Sequence, residues 1–210
     1  MEYSKKIAQF LIESQSVKLR PEEPFTWASG WKSPIYCDNR KTLAFPAIRE
    51  YIKNAFVDMI NKKFPEPDVI AGVATGAIAQ GALVADLLKK PFCYVRSAPK
   101  DHGMANLIEG NLEPGQKVVV IEDLISTGGS SIKAVEALRN AKADVLGMVA
   151  IFTYGFESAS QNFKKAGINV YTLSDYDTLL EQAISWGYIN PSHLNLLKEW
   201  RVAPDKWGNA

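Results

Sequence analysis

The sequence predicts an α/β fold in which a mostly parallel sheet is flanked by helices, with a small N-terminal hood in front of it. Three observations carry that expectation. Val118-Val119-Val120-Ile121 is apolar at every position rather than at alternate ones, as in a strand buried on both faces of a parallel sheet. Runs of that kind alternate with segments whose apolar residues recur at helical spacing, the rhythm of repeated strand–helix units. The 210 residues, 47% of them hydrophobic, suffice for one sizeable domain and not for two large ones.

Taken in order, residues 1–45 are expected to form an N-terminal helix and the hood. Ile7, Phe10, Leu11 and Ser14 mark one face of that helix. In FTWASGWKSPIYCDNR (25–40), aromatics alternate with small and polar residues around Gly30 and Pro34, as in short strands joined by a turn. Residues 46–210 are expected to form the core. Pro46 suits the first turn of a helix that carries Ile48, Tyr51, Ile52, Phe56, Met59 and Ile60 and ends near Pro65. DVIAGV is a strand, followed by a small-residue loop and a helix to Leu88; FCYVR (92–96) and VVVIED are the next strands. Ile132, Val135 and Leu138 then line a helix with Ser130 or Ser131 as N-cap. DVLGMVAIF (144–152) reads as strand, 157–166 as helix, INVYTL (168–173) as strand and 176–186 as helix. One segment breaks the rhythm. Residues 97–116 are polar, carry Gly103, Gly110 and Gly115, and offer little packing surface, as in a functional lid or a disordered insert.

Charge narrows the partners. With 24 Lys and Arg against 23 Asp and Glu, the formal net of +1 provides no global field for nucleic acid, so anion recognition has to be local. Cys37 and Cys93 are far apart and without metal-type spacing, which fits buried thiols in a reducing compartment. The most apolar stretch, residues 70–88, is rich in Gly and Ala and contains Thr75, Gln80 and Asp86. It suits strand, loop and helix better than a bilayer span. The N-terminus has no apolar signal core, and a cytoplasmic location without membrane contact is expected.

At the end of the third core strand, Glu122 and Asp123 stand where open α/β sheets place ligands, and a small-residue loop follows directly. The chain contains no Gly-Lys-Ser/Thr, so this is not a Walker A loop. In a dinucleotide fingerprint the glycines come first and the acid about twenty residues later, so that reading fails too. Carboxylates placed just before a loop that opens a helix suit one compact ligand carrying a phosphate and neighbouring hydroxyls. A ribose 5-phosphate has that shape: carboxylates accept from the ring hydroxyls, while N–H and O–H groups of Ser126 to Ser130 hold the phosphate.

IEDLISTGGSS resembles the signature of the type I phosphoribosyltransferases, which bind 5-phosphoribosyl 1-diphosphate. FTWASGWKSPIYCDNR resembles the hood of the orotate phosphoribosyltransferase branch, and YVRSAPKDHG the start of its mobile catalytic loop; the likeness covers nearly the whole chain. The resemblance implies the type I phosphoribosyltransferase fold. It also implies Mg²⁺-dependent transfer of ribose 5-phosphate to orotate, giving orotidine 5′-monophosphate and diphosphate in pyrimidine biosynthesis. By the same resemblance, Glu122 and Asp123 are catalytic ribose-hydroxyl acceptors. Leu124, Ile125, Ser126, Thr127, Gly128, Gly129 and Ser130 cradle the 5-phosphate, with Ser126 also near orotate. Lys32, Ile35 and Tyr36 match hood positions beside orotate and the diphosphate. Arg96, Lys100 and His102 match catalytic loop residues that, in the family's homodimer, reach the neighbouring subunit's site. Mg²⁺ is expected to ride mainly on the diphosphate, without direct side-chain ligands.

Departures from the family pattern fall at three places. Arg96 is followed by Ser97 where many members have a second basic residue. AGVATGA provides Thr75 on the diphosphate side where many have lysine. After the DVLGMVAIF strand, Tyr154 and Gly155 stand where some members bind the orotate carboxylate with arginine. Two other functions compete with orotate transfer. Transfer to another nucleobase is disfavoured by the hood and the KDHG loop, and a non-catalytic regulator that senses phosphoribosyl diphosphate by the missing basic face.

Overall fold

The computed structural model describes residues 2–98 and 107–208. Helix α1 (Glu2–Glu13) leads into the hood, made of β1 (Val17–Leu19), β2 (Phe25–Thr26), β3 (Lys32–Ser33) and β4 (Ile35–Cys37). A 3-10 turn (Asn39–Ala44) then delivers the chain to α2 (Pro46–Lys63), whose Pro46 sits at the start as its missing N–H allows. The core continues with β5 (Val69–Val73), α3 (Ile78–Leu88), β6 (Phe92–Val95), β7 (Ile108–Glu109), β8 (Lys117–Ile125) and α4 (Gly129–Asn140). It closes with β9 (Asp144–Thr153), α5 (Glu157–Ala166), β10 (Val170–Asp175), α6 (Tyr176–Ser185) and α7 (Leu194–Val202).

Six strands form the central sheet in the order β10-β9-β8-β5-β6-β7, all parallel except the β6–β7 pair. The hood pairs β1 with β4 and β2 with β3, both antiparallel. Period-two alternation along β8 divides the core. Val118 and Val120 join Val135, Leu138 and Phe163 on the face covered by α4 and α5. Val119 and Ile121 join Ile52, Phe56, Leu180 and Trp200 on the opposite face, where the hood also packs. The continuous apolar run in β8 is thus accounted for: each face of the strand meets its own layer of helices.

Two expectations need correction. The segment 97–116 has more packing surface than its polarity suggests. Leu107, Ile108 and Leu112 pack on the α4 side, and Ile108–Glu109 pairs with Tyr94–Val95. Isolated apolar residues beside Gly110 form only a two-residue strand, too short to leave a periodic signal. Lys100 and His102 lie outside the described residues. The N-cap of α4 is Gly128 rather than Ser130 or Ser131. Its φ of 81° and its close fit against the Phe163 ring, 2.9 Å from where a Cβ would sit, both require glycine.

Candidate active site

The carboxyl end of β8 overshoots its neighbour. Pairing with β5 ends at Gly72–Ile121, whereas pairing with β9 runs on to Thr153–Ile125. Glu122 and Asp123 therefore lie beyond the β5 edge, and alternation sends their side chains to opposite faces. Glu122 turns to the α4 side, 3% exposed. Ser131 Oγ donates to its Oε2 at 2.7 Å, and the Asp123 backbone N–H donates to Oε1 at 3.0 Å. Asp123 turns to the hood side, against Gly76. A Cβ on Gly76 would lie 2.2 Å from Asp123 Oδ2, so only glycine lets the carboxylate occupy that place.

Burial raises both acids. Desolvation, and next the Asp123 charge, push Glu122 up to about 8. Asp123 is raised by burial as well, against hydrogen bonding from Glu122 and backbone N–H groups and the attraction of Arg40. Both acids are thus pushed toward their protonated forms, each first by burial.

The loop from Leu124 to Ser130 is braced from beneath. Ile125 is buried and its carbonyl accepts from the Tyr154 N–H at 3.2 Å. Asn162 Nδ2 donates to the Thr127 carbonyl at 3.1 Å. Gly129 and Ser130 are exposed at the start of α4, whose first N–H groups are the unpaired donors an anion needs.

Beside this loop a cavity of about 270 Å³ is lined by Thr26, Trp27, Tyr36, Cys37, Leu124, Ser126 and Tyr154. Its walls come from the hood on one side and from β8 and β9 on the other. Trp27 is fixed by its indole N–H, which donates to the Ile35 carbonyl at 3.0 Å, and by Tyr154 at 5.2 Å between ring centroids. Trp200 of α7 stands edge-on behind both rings.

The other site candidates are distributed around these features. Ile35 is fully buried, so its side chain belongs to the core; Tyr36 is 40% exposed and faces the cavity. Lys32 Nζ donates to Thr26 Oγ1 at 2.9 Å, at the cavity rim. Thr75 and Arg96 meet in a second cleft of about 500 Å³ with Ala74, Tyr94 and Glu109. Arg96 is paired with Glu109 at 3.4 Å, and its backbone N–H donates to the Leu107 carbonyl at 2.8 Å. Sequence reasoning did not single out Trp27, Asn39 or Gly76, and it took Ser131 only as an N-cap candidate rather than as a donor to Glu122. Gly76 and Ser131 stood in stretches already marked as small-residue loops, but nothing in their spacing told them from their neighbours.

The model of the phosphoribosyl transferase domain matches residues 41–174. The chain is 61% identical over 204 residues to the orotate phosphoribosyltransferase of Porphyromonas gingivalis, covering 97% of each chain. It is 56% identical over 207 residues to that of Cytophaga hutchinsonii, covering 99% of each. Among solved structures, orotate phosphoribosyltransferase from Aeropyrum pernix superposes with a TM-score of 0.76 at 28% identity, covering 86% of this chain and 99% of that one.

Proposed function

The chain belongs to the phosphoribosyl transferase family, and from that premise we propose that it acts as an orotate phosphoribosyltransferase. It transfers ribose 5-phosphate from 5-phosphoribosyl 1-diphosphate to a ring nitrogen of orotate, a step of pyrimidine nucleotide synthesis. One observation carries the reading. The cavity between Trp27 and Tyr154 opens against Leu124 and Ser126, the residues that follow the acidic pair and begin the anion loop. A flat base, a ribose and a 5-phosphate laid end to end fit that sequence of walls.

The chemistry follows from charge. Breaking the bond between ribose C1 and the diphosphate sends its electron pair to the leaving group and leaves positive charge on the sugar. The carboxylate of Asp123 accepts from a ribose hydroxyl and favours the cationic ring. Glu122 reaches the sugar only by exchanging its bond from Ser131; in the unliganded protein its carboxyl is held by Ser131 and by the Asp123 N–H, so it acts by supporting the Asp123 peptide. The base nitrogen attacks C1 from the opposite face, and its proton passes to the released diphosphate or to solvent. Trp27, Tyr36 and Tyr154 keep water from competing for the same carbon.

On the leaving-group side, Thr75 and Arg96 line their own chain's cleft. Lys100 and His102 reach it from the partner of a homodimer in this proposal. The donor chemistry suits Mg²⁺ carried on the substrate, since that ion keeps most of its shell as water and phosphate oxygens. Among the described residues no three His, Cys, Asp or Glu side chains converge as a cage. When bound, Mg²⁺ neutralises the developing charge of the diphosphate. Among the described residues no helix is long and apolar enough to cross a membrane, which is compatible with a cytoplasmic enzyme.

The test is an assay with orotate, uracil and adenine in turn, each with phosphoribosyl diphosphate and Mg²⁺, repeated in excess chelator. Turnover with orotate alone, lost on chelation and restored by Mg²⁺, is expected. Preference for another base, or full activity in chelator, overturns the assignment.

A further inference from the structure

Within the run Asp38-Asn39-Arg40 the two charged residues pair with each other, Arg40 Nε to Asp38 Oδ1 at 2.7 Å, while Asn39 between them is 2% exposed. A buried amide is costly unless both its ends are satisfied. Here both are. Asn39 Nδ2 donates to the Asp123 backbone carbonyl at 2.6 Å, and Asn39 Oδ1 accepts from the Cys37 thiol at 3.2 Å. The Asn39 carbonyl in turn accepts from Thr42 Oγ1 at 2.6 Å, inside the 3-10 turn.

The partners on the two sides are functionally different. Cys37 is a wall of the cavity assigned to the base, and Asp123 is the acid assigned to the ribose. The bond to Asp123 also falls where β8 has lost one of its two neighbours, because β5 no longer pairs with it beyond Ile121 while β9 does. A strand held by β9 on one side only is a poorer platform for a carboxylate that has to be held within a fraction of an ångström. We infer that Asn39 is a positioning residue: it fixes the Asp123 peptide in place of a strand partner and ties the base wall to the ribose acid. The contact is made by a donor to a backbone carbonyl, so it is specific for an amide at that position. This inference rests on the proposed activity for its kinetic consequence, though not for the binding one.

The experiment compares Asn39→Ala and Asn39→Asp with wild type and with Ile52→Val. The last is a core substitution in α2 that lowers stability without touching this contact. Melting curves establish that each protein is folded at the assay temperature. Asn39→Asp is nearly isosteric and replaces the donor with a carboxyl oxygen, which also adds an acidic group beside the Asp123 carbonyl, so retention of wild-type constants is the decisive outcome for this variant. Both Asn39 variants should lose about tenfold or more in kcat and bind phosphoribosyl diphosphate more weakly by calorimetry, while Ile52→Val keeps wild-type constants. Wild-type kinetics and affinity in a folded Asn39→Ala overturn the inference. So does a folded Asn39→Asp that keeps wild-type constants while alanine does not, since the side chain would then merely fill space. If Asn39→Ala does not fold, Asn39→Asp alone decides by the same comparison. If the wild type shows no turnover with orotate, the proposed activity fails while the calorimetric comparison still tests the ribose grip.

Discussion

The hydroxyl of Ser131 donates to Glu122 Oε2 across 2.7 Å, from the first turn of α4 to the end of β8. The bond draws one member of the acidic pair toward the helix, while Asp123 faces the hood with Gly76 against its carboxylate. Adjacent carboxylates that would repel if both were exposed and ionised are thereby given different partners.

Asp123→Asn should lower turnover on the order of a hundredfold or more, about 2.7 kcal/mol of transition-state stabilisation. Glu122→Gln keeps the size but has one acceptor oxygen for the two donors, Ser131 and the Asp123 N–H, and should still cost less, roughly tenfold. Steady-state kinetics on the two folded variants checks this. Equal losses would mean that Glu122 meets the sugar as directly as Asp123 does.

Stability should carry the mark of the buried acid. Glu122 titrates near its ordinary 4.5 in the unfolded chain and at about 8 in the folded one. Between those values the folded state binds more protons than the unfolded state. The contribution is therefore fully present below the unfolded value and is lost as pH rises through the folded one. Glu122→Gln, permanently neutral, removes that slope. Thermal melts across this window should show the wild type losing melting temperature relative to the variant. Parallel curves would place the Glu122 proton elsewhere.

Gly76→Ala tests the space around Asp123. Its Cβ would sit 2.2 Å from Asp123 Oδ2 and 2.5 Å from Oδ1, so the carboxylate has to swing away. Binding of phosphoribosyl diphosphate should weaken by about tenfold or more, since a shift of about 1 Å at a positioned group can cost up to a hundredfold. Far-ultraviolet circular dichroism should remain that of the wild type. Unchanged affinity would show that Asp123 does not need this position.

Much of this was legible in the sequence, and the residues that were not share a cause. The β8 strand declared itself by an unbroken apolar run, and α2 by its Pro46 start and a helical stripe kept over many residues. Parity along β8 even assigns Glu122 and Asp123 to opposite faces once the flanking layers are known. Asn39 and Trp27 did not declare themselves: each acts through one contact to a residue far along the chain, Asn39 with Asp123 and Trp27 with Tyr154. Tyr154 itself read as a gap in the family pattern; only packing showed that it is a wall of the cavity and a support for Trp27.

The lid and the oligomer can be tested together. In the proposal Lys100 completes the partner subunit's site, whereas Asp123 serves its own. Lys100→Ala and Asp123→Asn chains should each be nearly inactive as homodimers. A mixed dimer pairs one site that has an intact lid and an intact acid with one that has neither. Random exchange puts about half of all dimers in the mixed form, each with one working site of two, so activity should recover to about a quarter of wild type. The measurement is an assay before and after subunit exchange, with exchange itself followed by a mass-labelled chain. Arg96 provides the contrast, since it lines its own chain's cleft with Thr75. If it serves that cleft, Arg96→Ala mixed with Asp123→Asn leaves every mixed dimer with one damaged residue in each site, and no recovery should follow. Recovery with Lys100→Ala but not with Arg96→Ala would separate the reaching residue from the tethered one. If proven exchange restores activity with neither, the lid acts within its own subunit.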